Sequence, residues 1–255
     1  MLNPASTVSS PLLRLGTHAL AVEELCFAYP DGLQVLQAVE FEIQWGERVG
    51  LIGPNGAGKT TLFMLLCGLL TPNQGEIRLF ERAVVPGEFR SEIGLVFQNP
   101  ADQLFSLSVR DDVAFGPINM GLSADEIERR VQAALYLTGM VEFADRPPHH
   151  LSGGQKRMVA IASVLAMHPQ LIIYDEPSAN LDIRARRRLI QFLQHAEQTT
   201  LVCSHDLDLI LDVCDRVLLI DQGQIIADGP TREIMGNGSL MEAHGLECPY
   251  ALSNH

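Results

Sequence analysis

Gly53-Pro54-Asn55-Gly56-Ala57-Gly58-Lys59-Thr60-Thr61 matches the pattern G-x-x-x-x-G-K-[ST], and its flanks decide how it reads. Upstream, residues 48–52 form a short apolar run of strand type. Downstream, residues 61–70 make an apolar-rich helix of about three turns at 3.6 residues each. Strand, glycine-rich loop and helix together form the context in which this motif cradles phosphate. Glycines let the backbone fold back so that successive N–H groups point inward, and the helix N-terminus adds partial positive charge. Lys59 is then expected to reach the β- and γ-phosphates, and Thr60 to place its hydroxyl on Mg²⁺. A glycine turn that binds nothing needs neither the strand nor the helix.

Bulk properties narrow the class. The chain has 255 residues, 47% hydrophobic and 19% charged, which is globular rather than disordered. Its net charge of −13 argues against a free-standing nucleic-acid binder. The longest apolar run, residues 62–70, is far short of the about 20 residues that span a bilayer. Residues 1–18 read as a loose arm with no basic stretch leading into an apolar core, so no secretory signal is expected. Five cysteines, odd in number and without C-x-x-C pairing, read as reduced thiols of a cytosolic chain.

Outward from the loop, residues 20–29 and 39–45 read as strands around the turn Asp31-Gly32, and residues 75–80 repeat the pattern. This opening region predicts an antiparallel sheet laid against the nucleotide core. Tyr29 falls close enough to the loop to stack on an adenine ring, although a half-buried tyrosine at a strand end would look the same. Residues 93–97 form a short strand ending at Gln98. A helix-rich stretch, about 99–165, then interrupts the α/β pattern. Within it Ser123-Ala124-Asp125-Glu126 reads as a capping box. Behind the box come an apolar stripe (Ile127, Val131, Ala134, Leu135), a Glu126–Arg130 pair on the wet side, and a closing Gly139. Leu151-Ser152-Gly153-Gly154-Gln155 opens another helix, with Ser152 as cap at an anion-friendly N-terminus. Residues 171–174 are continuously apolar, as in a central parallel strand, and end in Asp175-Glu176. Two carboxylates at such a strand end are costly unless a cation or a reaction uses them. Residues 201–203 form a further strand with His205 just past its end. Residues 206–214 predict a helix, and residues 217–220 and 224–226 predict strands joined at Gln222-Gly223. Past Pro230 a short helix and a tail, residues 231–255, are expected.

The phosphate loop, Gln98, the 151–155 pentapeptide, Ile172-Ile173-Tyr174-Asp175-Glu176 and His205 stand in one order. In this the chain resembles the ATP-binding subunits of ABC transporters from about residue 20 to 230. Residues 98–105 and 112–117 resemble more narrowly the energy-coupling-factor branch, most of all the cobalt/nickel importers' ATPase. Asn180, where Gly is usual, and Tyr174, where Leu is common, are departures outside the catalytic positions.

The resemblance implies an α/β ABC-type P-loop ATPase fold. Its parts are a parallel-sheet nucleotide core, an antiparallel β subdomain and an inserted helical subdomain, in a domain spanning 19–230. It implies ATP and Mg²⁺ as ligands, with Thr60, Gln98 and Asp175 in the metal shell and Glu176 polarising the attacking water. His205 would hold the γ-phosphate. It further implies that Leu151–Gln155 and Asp182 meet ATP held by a second ATPase subunit, a homodimer being sufficient. Separate membrane-spanning subunits would receive the stroke at the cytoplasmic face of the membrane, and no nucleic acid is involved. The expected cargo is cobalt or nickel ion, with a vitamin or other micronutrient as the alternative. A soluble ABC ATPase acting on ribosomes or DNA usually carries two cassettes or a long coiled-coil insertion, which this chain lacks. Intact Glu176 argues against a purely regulatory nucleotide binder. His149-His150 lacks further spaced ligands and reads as a loop. Arg184, Arg186, Arg187 and Arg188 read as the solvated face of a helix.

Overall fold

The computed structural model describes residues 18–252, so the arm expected over 1–18 lies almost wholly outside them. Alternating apolar residues build β1 (His18–Ala28) and β2 (Gln34–Gln44), paired antiparallel around Asp31-Gly32, where the Asp31 carboxylate accepts the Leu33 N–H at 3.1 Å. β4 (Gln74–Leu79) and β5 (Arg82–Ala83) extend them into a four-stranded sheet of order β2-β1-β4-β5. β2 starts five residues before the expected strand. Ala38 has a φ of 46° and the register with β1 shifts there, so alternation in the sequence is legible only beyond the irregularity.

The second sheet contains β3 (Arg48–Ile52), β6 (Ile93–Val96), β7 (Leu171–Asp175), β8 (Thr199–Cys203), β9 (Arg216–Asp221) and β10 (Gln224–Pro230). Their order is β10-β9-β3-β8-β7-β6, all parallel except β10 on the edge. β7 and β8 are buried along their whole length, β7 through the apolar run Leu171 to Tyr174 and β8 through Leu201 to Cys203 with Thr199 and Thr200 buried before them. Side chains leave β7 alternately. Leu171 and Ile173 pack towards α1 (Lys59–Leu66) and the antiparallel sheet, while Ile172 and Tyr174 pack into a separate core with the remaining helices.

α2 (Val109–Asn119), α3 (Ala124–Thr138) and α4 (Gly153–Leu165) pack on one another and make the helical stretch. α5 (Ile183–Gln194) and α6 (Leu207–Val213) cover the same face of the sheet further along. α1 begins two residues before the expected start and ends at Leu66, closed by Gly68 at φ 69°.

Two local expectations are corrected. Ser123 accepts the Glu126 N–H at 3.4 Å, but the reciprocal half of the capping box is not made. Glu126 instead gives its carboxylate to Arg129 and, at 2.6 Å, to Arg130. Nor is the Glu126–Arg130 pair on a wet surface: the two side chains are 21% and 16% exposed, and Arg130 also donates to the Met167 carbonyl at 3.3 Å.

Residues past Pro230 are more than a tail. α7 (Thr231–Gly236) and α8 (Gly238–Ala243) bury Met235 and Met241 completely, and Thr231 donates to the Cys214 carbonyl at 2.7 Å. Among the described residues no helix is long and apolar enough to cross a membrane.

Candidate nucleotide site

Parallel strands deliver their carboxyl ends to one edge, and the loops leaving those ends gather there. β3 runs into 53–58, β6 into Gln98, β7 into Asp175-Glu176 and β8 into His205. Register keeps the ends level, with Leu51 and Asp175 both opposite Cys203. Between them lies a cavity of about 320 Å³ lined by Val35, Asn55 to Thr61, Gln98, Asp175, Glu176 and His205. Eleven residues singled out in the sequence (Asn55, Gly56, Ala57, Gly58, Lys59, Thr60, Thr61, Gln98, Asp175, Glu176 and His205) thus meet at one place.

The loop shape depends on its glycines. A Cβ on Gly53 would sit 2.0 Å from the Ile220 carbonyl oxygen, so the chain leaves β3 in direct contact with β9. Gly58 has a φ of 103° and is the N-cap of α1. The Lys59 ammonium donates to the carbonyls of Gly53 (2.7 Å) and Pro54 (2.8 Å), which pins the side chain across the loop. An ammonium has three N–H groups, so one is left for an oxyanion in the cavity. Gly53 and Pro54 therefore shape the site from behind rather than lining it.

Asp175 and Glu176 differ in environment. Burial raises the pKa of Asp175, as does the neighbouring Glu176. Lys59, a hydrogen bond from Thr60 and Arg157 oppose the rise. Glu176 has its carboxylate pinned: Oε2 accepts the His205 N–H at 3.1 Å and the Ser204 hydroxyl at 3.4 Å, and the His205 imidazole lies 3.5 Å from Oε1. Thr60, Asp175 and Gln98 bring a hydroxyl, a carboxylate and an amide to the same cavity. These are hard oxygen donors of the kind Mg²⁺ takes beside phosphate, and the residue set fits that ion.

Tyr29 is half-buried at the margin. Its hydroxyl shares a hydrogen bond with Thr61 at 3.2 Å and its ring meets Phe27 edge-on at 5.0 Å, while Val35 lines the cavity on that side.

Leu151 to Gln155 and Asp182 do not join this cavity. Leu151 is buried in the core, but Ser152 and Gly153 are exposed at the start of α4. Ser152 accepts the Gln155 N–H at 3.3 Å and Gln155 Oε1 accepts the Ser152 N–H at 2.8 Å, a complete capping box that fixes the turn. Asp182 caps α5 by accepting the Ala185 N–H at 2.8 Å.

Sequence reasoning passed over Arg157, which lies on α4 with 1% exposure. It donates to the carbonyls of Phe97 and Gln98, each at 2.6 Å. An arginine in a helical run shows no sign of burial in sequence. Reading it on the inner side of the stripe, with Val164 and Ile161, was the only available signal. Arg186 is not part of a solvated face either: it pairs with Asp206 at 2.8 Å, whereas Arg184 and Arg187 are exposed.

Comparison with known proteins agrees with this geometry. A family model described as "ABC transporter" matches residues 36–179. A putative ABC transporter ATP-binding protein of Synechocystis sp. is 56% identical, over 92% of this chain and 82% of that protein. The energy-coupling factor transporter ATP-binding protein EcfA of Methanocaldococcus jannaschii is 41% identical, over 91% of this chain and 86% of its own. Among solved structures, CbiO1 from Clostridium perfringens, described as part of the ABC transporter complex CbiONQ, superposes with a TM-score of 0.80. It is 38% identical and covers 89% of this chain and 94% of its own. The fold is that of the ABC ATPases, and the chain belongs to the ABC transporter ATP-binding family, as an ATPase of the energy-coupling, CbiO-like kind.

Proposed function

We propose that this chain hydrolyses ATP as one half of a dimer, using the residues gathered at the sheet edge, and so energises import of a small solute through separate membrane subunits. The observation that carries the reading is the convergence of Lys59, Thr60, Gln98, Asp175, Glu176 and His205 on one cavity. In it Lys59 and the N–H groups of 55–60 bind the phosphates, and Tyr29 stands where an adenine ring would stack. Thr60, Asp175 and Gln98 would hold Mg²⁺, which when bound offsets negative charge on the β- and γ-oxygens. Glu176, held by Ser204 and His205, orients the attacking water and accepts its proton as the new bond to the γ-phosphorus forms and the bond to the bridging oxygen breaks, so that ADP leaves with that electron pair and inorganic phosphate is released. His205, half-exposed beside that carboxylate, steadies the γ-phosphate.

Ser152 and Gly153 are exposed on a fixed turn apart from their own chain's cavity, which supports their closing over ATP held by a second copy. An exposed apolar cluster next to the Gln98 loop (Phe105, Leu107, Phe115 and Ile118, with Phe105 and Phe115 edge-on at 4.8 Å) supports docking of membrane subunits at the cytoplasmic face. The proposed cargo is cobalt or nickel ion, from the resemblance carried by residues 98–105 and 112–117, with a vitamin or other micronutrient as the alternative. Glu176→Gln is expected to bind ATP, lose turnover and run as an ATP-dependent dimer in size-exclusion chromatography with light scattering. Parent-rate hydrolysis by this variant would remove Glu176 as the base. Uptake of cobalt or nickel into vesicles carrying the co-purified membrane subunits tests the cargo.

A further inference from the structure

Among the described residues Arg157 is the largest fully buried side chain, and none of their carboxylates hydrogen-bonds it. Replacing both sides of a buried polar contact can be nearly neutral, but removing Arg157 alone takes a donor from the Phe97 and Gln98 carbonyls. Its guanidinium is spent on main-chain carbonyls instead. One terminal nitrogen donates to Phe97 and the other to Gln98, both at 2.6 Å. The second also lies 3.5 Å from the Glu176 carbonyl, and Nε has no partner. Phe97 and Gln98 carry the chain off β6, and Glu176 follows β7. Arg157 itself stands one turn into the helix that begins at Gly153. A single planar fork therefore bridges three segments, two of which Gln103 also links: its amide accepts the Phe97 N–H at 3.3 Å and donates to the Ala160 carbonyl of α4 at 2.8 Å, without reaching Glu176. Its charge is felt by both carboxylates at the cavity. Burial draws its pKa down to about 10 and the charges of Asp175 and Glu176 draw it back, so it stays protonated near neutral pH.

We infer that Arg157 is a positioning residue, tying the Gln98 loop and the Glu176 main chain to the first turn of α4. Movement of the exposed Ser152-Gly153 edge is thereby transmitted to the groups that align water and phosphate. The inference rests on the reading of Gln98 and Glu176 given above. Lysine is a poor substitute for the fork, because its N–H groups diverge from one nitrogen, whereas the guanidinium reaches the Phe97 and Gln98 carbonyls from two separate nitrogens.

Steady-state ATP hydrolysis by the full-length chain tests it. Arg157→Met should lower kcat on the order of 10- to 100-fold, as misplacement of aligned groups does. KM for ATP should stay within about threefold, because the phosphate loop is untouched. Arg157→Lys should recover only a minor part of kcat. Guanidinium ion at millimolar concentration should raise kcat of Arg157→Ala and leave the parent unchanged. A folded Arg157→Met with parent kcat overturns the inference, and so does complete rescue by Arg157→Lys. If the methionine variant does not fold, the lysine variant decides: depressed kcat at unchanged KM supports the inference, and parent kcat overturns it. Glu176→Gln run alongside separates the two readings, since turnover by that variant would sink the site assignment whatever Arg157 does.

Discussion

Glu176 has a φ of 46°, a backbone conformation that costs a non-glycine residue about 1–3 kcal/mol. The strain is maintained by what surrounds it: its N–H donates to the Cys203 carbonyl at 2.9 Å and its carboxylate is gripped by Ser204 and His205, the two residues that follow Cys203. In the proposed role of base, a carboxylate so held would need no reordering when water arrives. Gly53 shows the opposite economy, absence of a side chain. Gly53→Ala puts a methyl group 2.0 Å from the Ile220 oxygen, so β3 or β9 must shift. We expect a loss of about 1–3 kcal/mol in urea unfolding, as for overpacking elsewhere, together with weakened binding of a fluorescent ATP analogue. Parent stability and binding would show that the strands yield freely there. At this scale the sequence was informative wherever a residue sits at a strand end. Asp175, Glu176 and His205 stand at or just past apolar strand ends, Lys59 follows the glycine-rich loop off β3, and parallel strands bring such ends together. Arg157 was not legible, because a charged residue turned inward looks the same in a sequence as one turned outward.

Among the elements, α3 ties its first turn to charge. Hydrogen bonds from Arg129 and then Arg130 lower the pKa of Glu126 to about 2, against an ordinary value of 4.5. A depressed carboxylate stabilises the folded chain fully above its unfolded pKa and loses that contribution as pH falls through the folded one. Glu126→Gln is therefore expected to unfold at lower urea concentration than the parent at pH 7, with the gap shrinking below about pH 4.5 and gone near pH 2. A gap independent of pH would assign the effect to packing alone. Helices α2 and α5 show where pattern reading stops. α2 buries Val109, Val113, Ala114 and Pro117 but also exposes Phe115 and Ile118, so apolar residues appear on both faces and no period stands out. α5 hides its stripe of Ala185, Leu189, Ile190 and Leu193 among arginines, one of which is committed to Asp206. By contrast, β7 was plain from its apolar run Leu171 to Tyr174, whereas β8 was legible only over 201–203 because it starts with the buried pair Thr199-Thr200.

At the scale of the molecule, the cavity and the Ser152-Gly153 turn are separate features of one chain, and the dimer proposal joins them across two. Gly153 is the first residue of α4, exposed, with only the Asn180 oxygen at 3.9 Å from where its Cβ would be. Gly153→Asp has room, and a carboxylate suits a helix N-terminus, so stability should change by no more than about 0.5 kcal/mol. Facing a triphosphate, the same charge should repel: hydrolysis is expected to fall on the order of 100-fold, and the Glu176→Gln background should no longer dimerise with ATP. Light scattering that still shows the dimer would place the second subunit elsewhere.

The hairpin tip at Gln222-Gly223 carries a mechanical consequence. Gly223 donates no side chain because the Val35 oxygen lies 2.2 Å from where one would begin, and its own carbonyl accepts the Gln37 N–H at 2.9 Å. The two sheets are riveted at this point, and α1 is wedged between them. Neither can tilt without the other, so the antiparallel layer serves as a fixed wall.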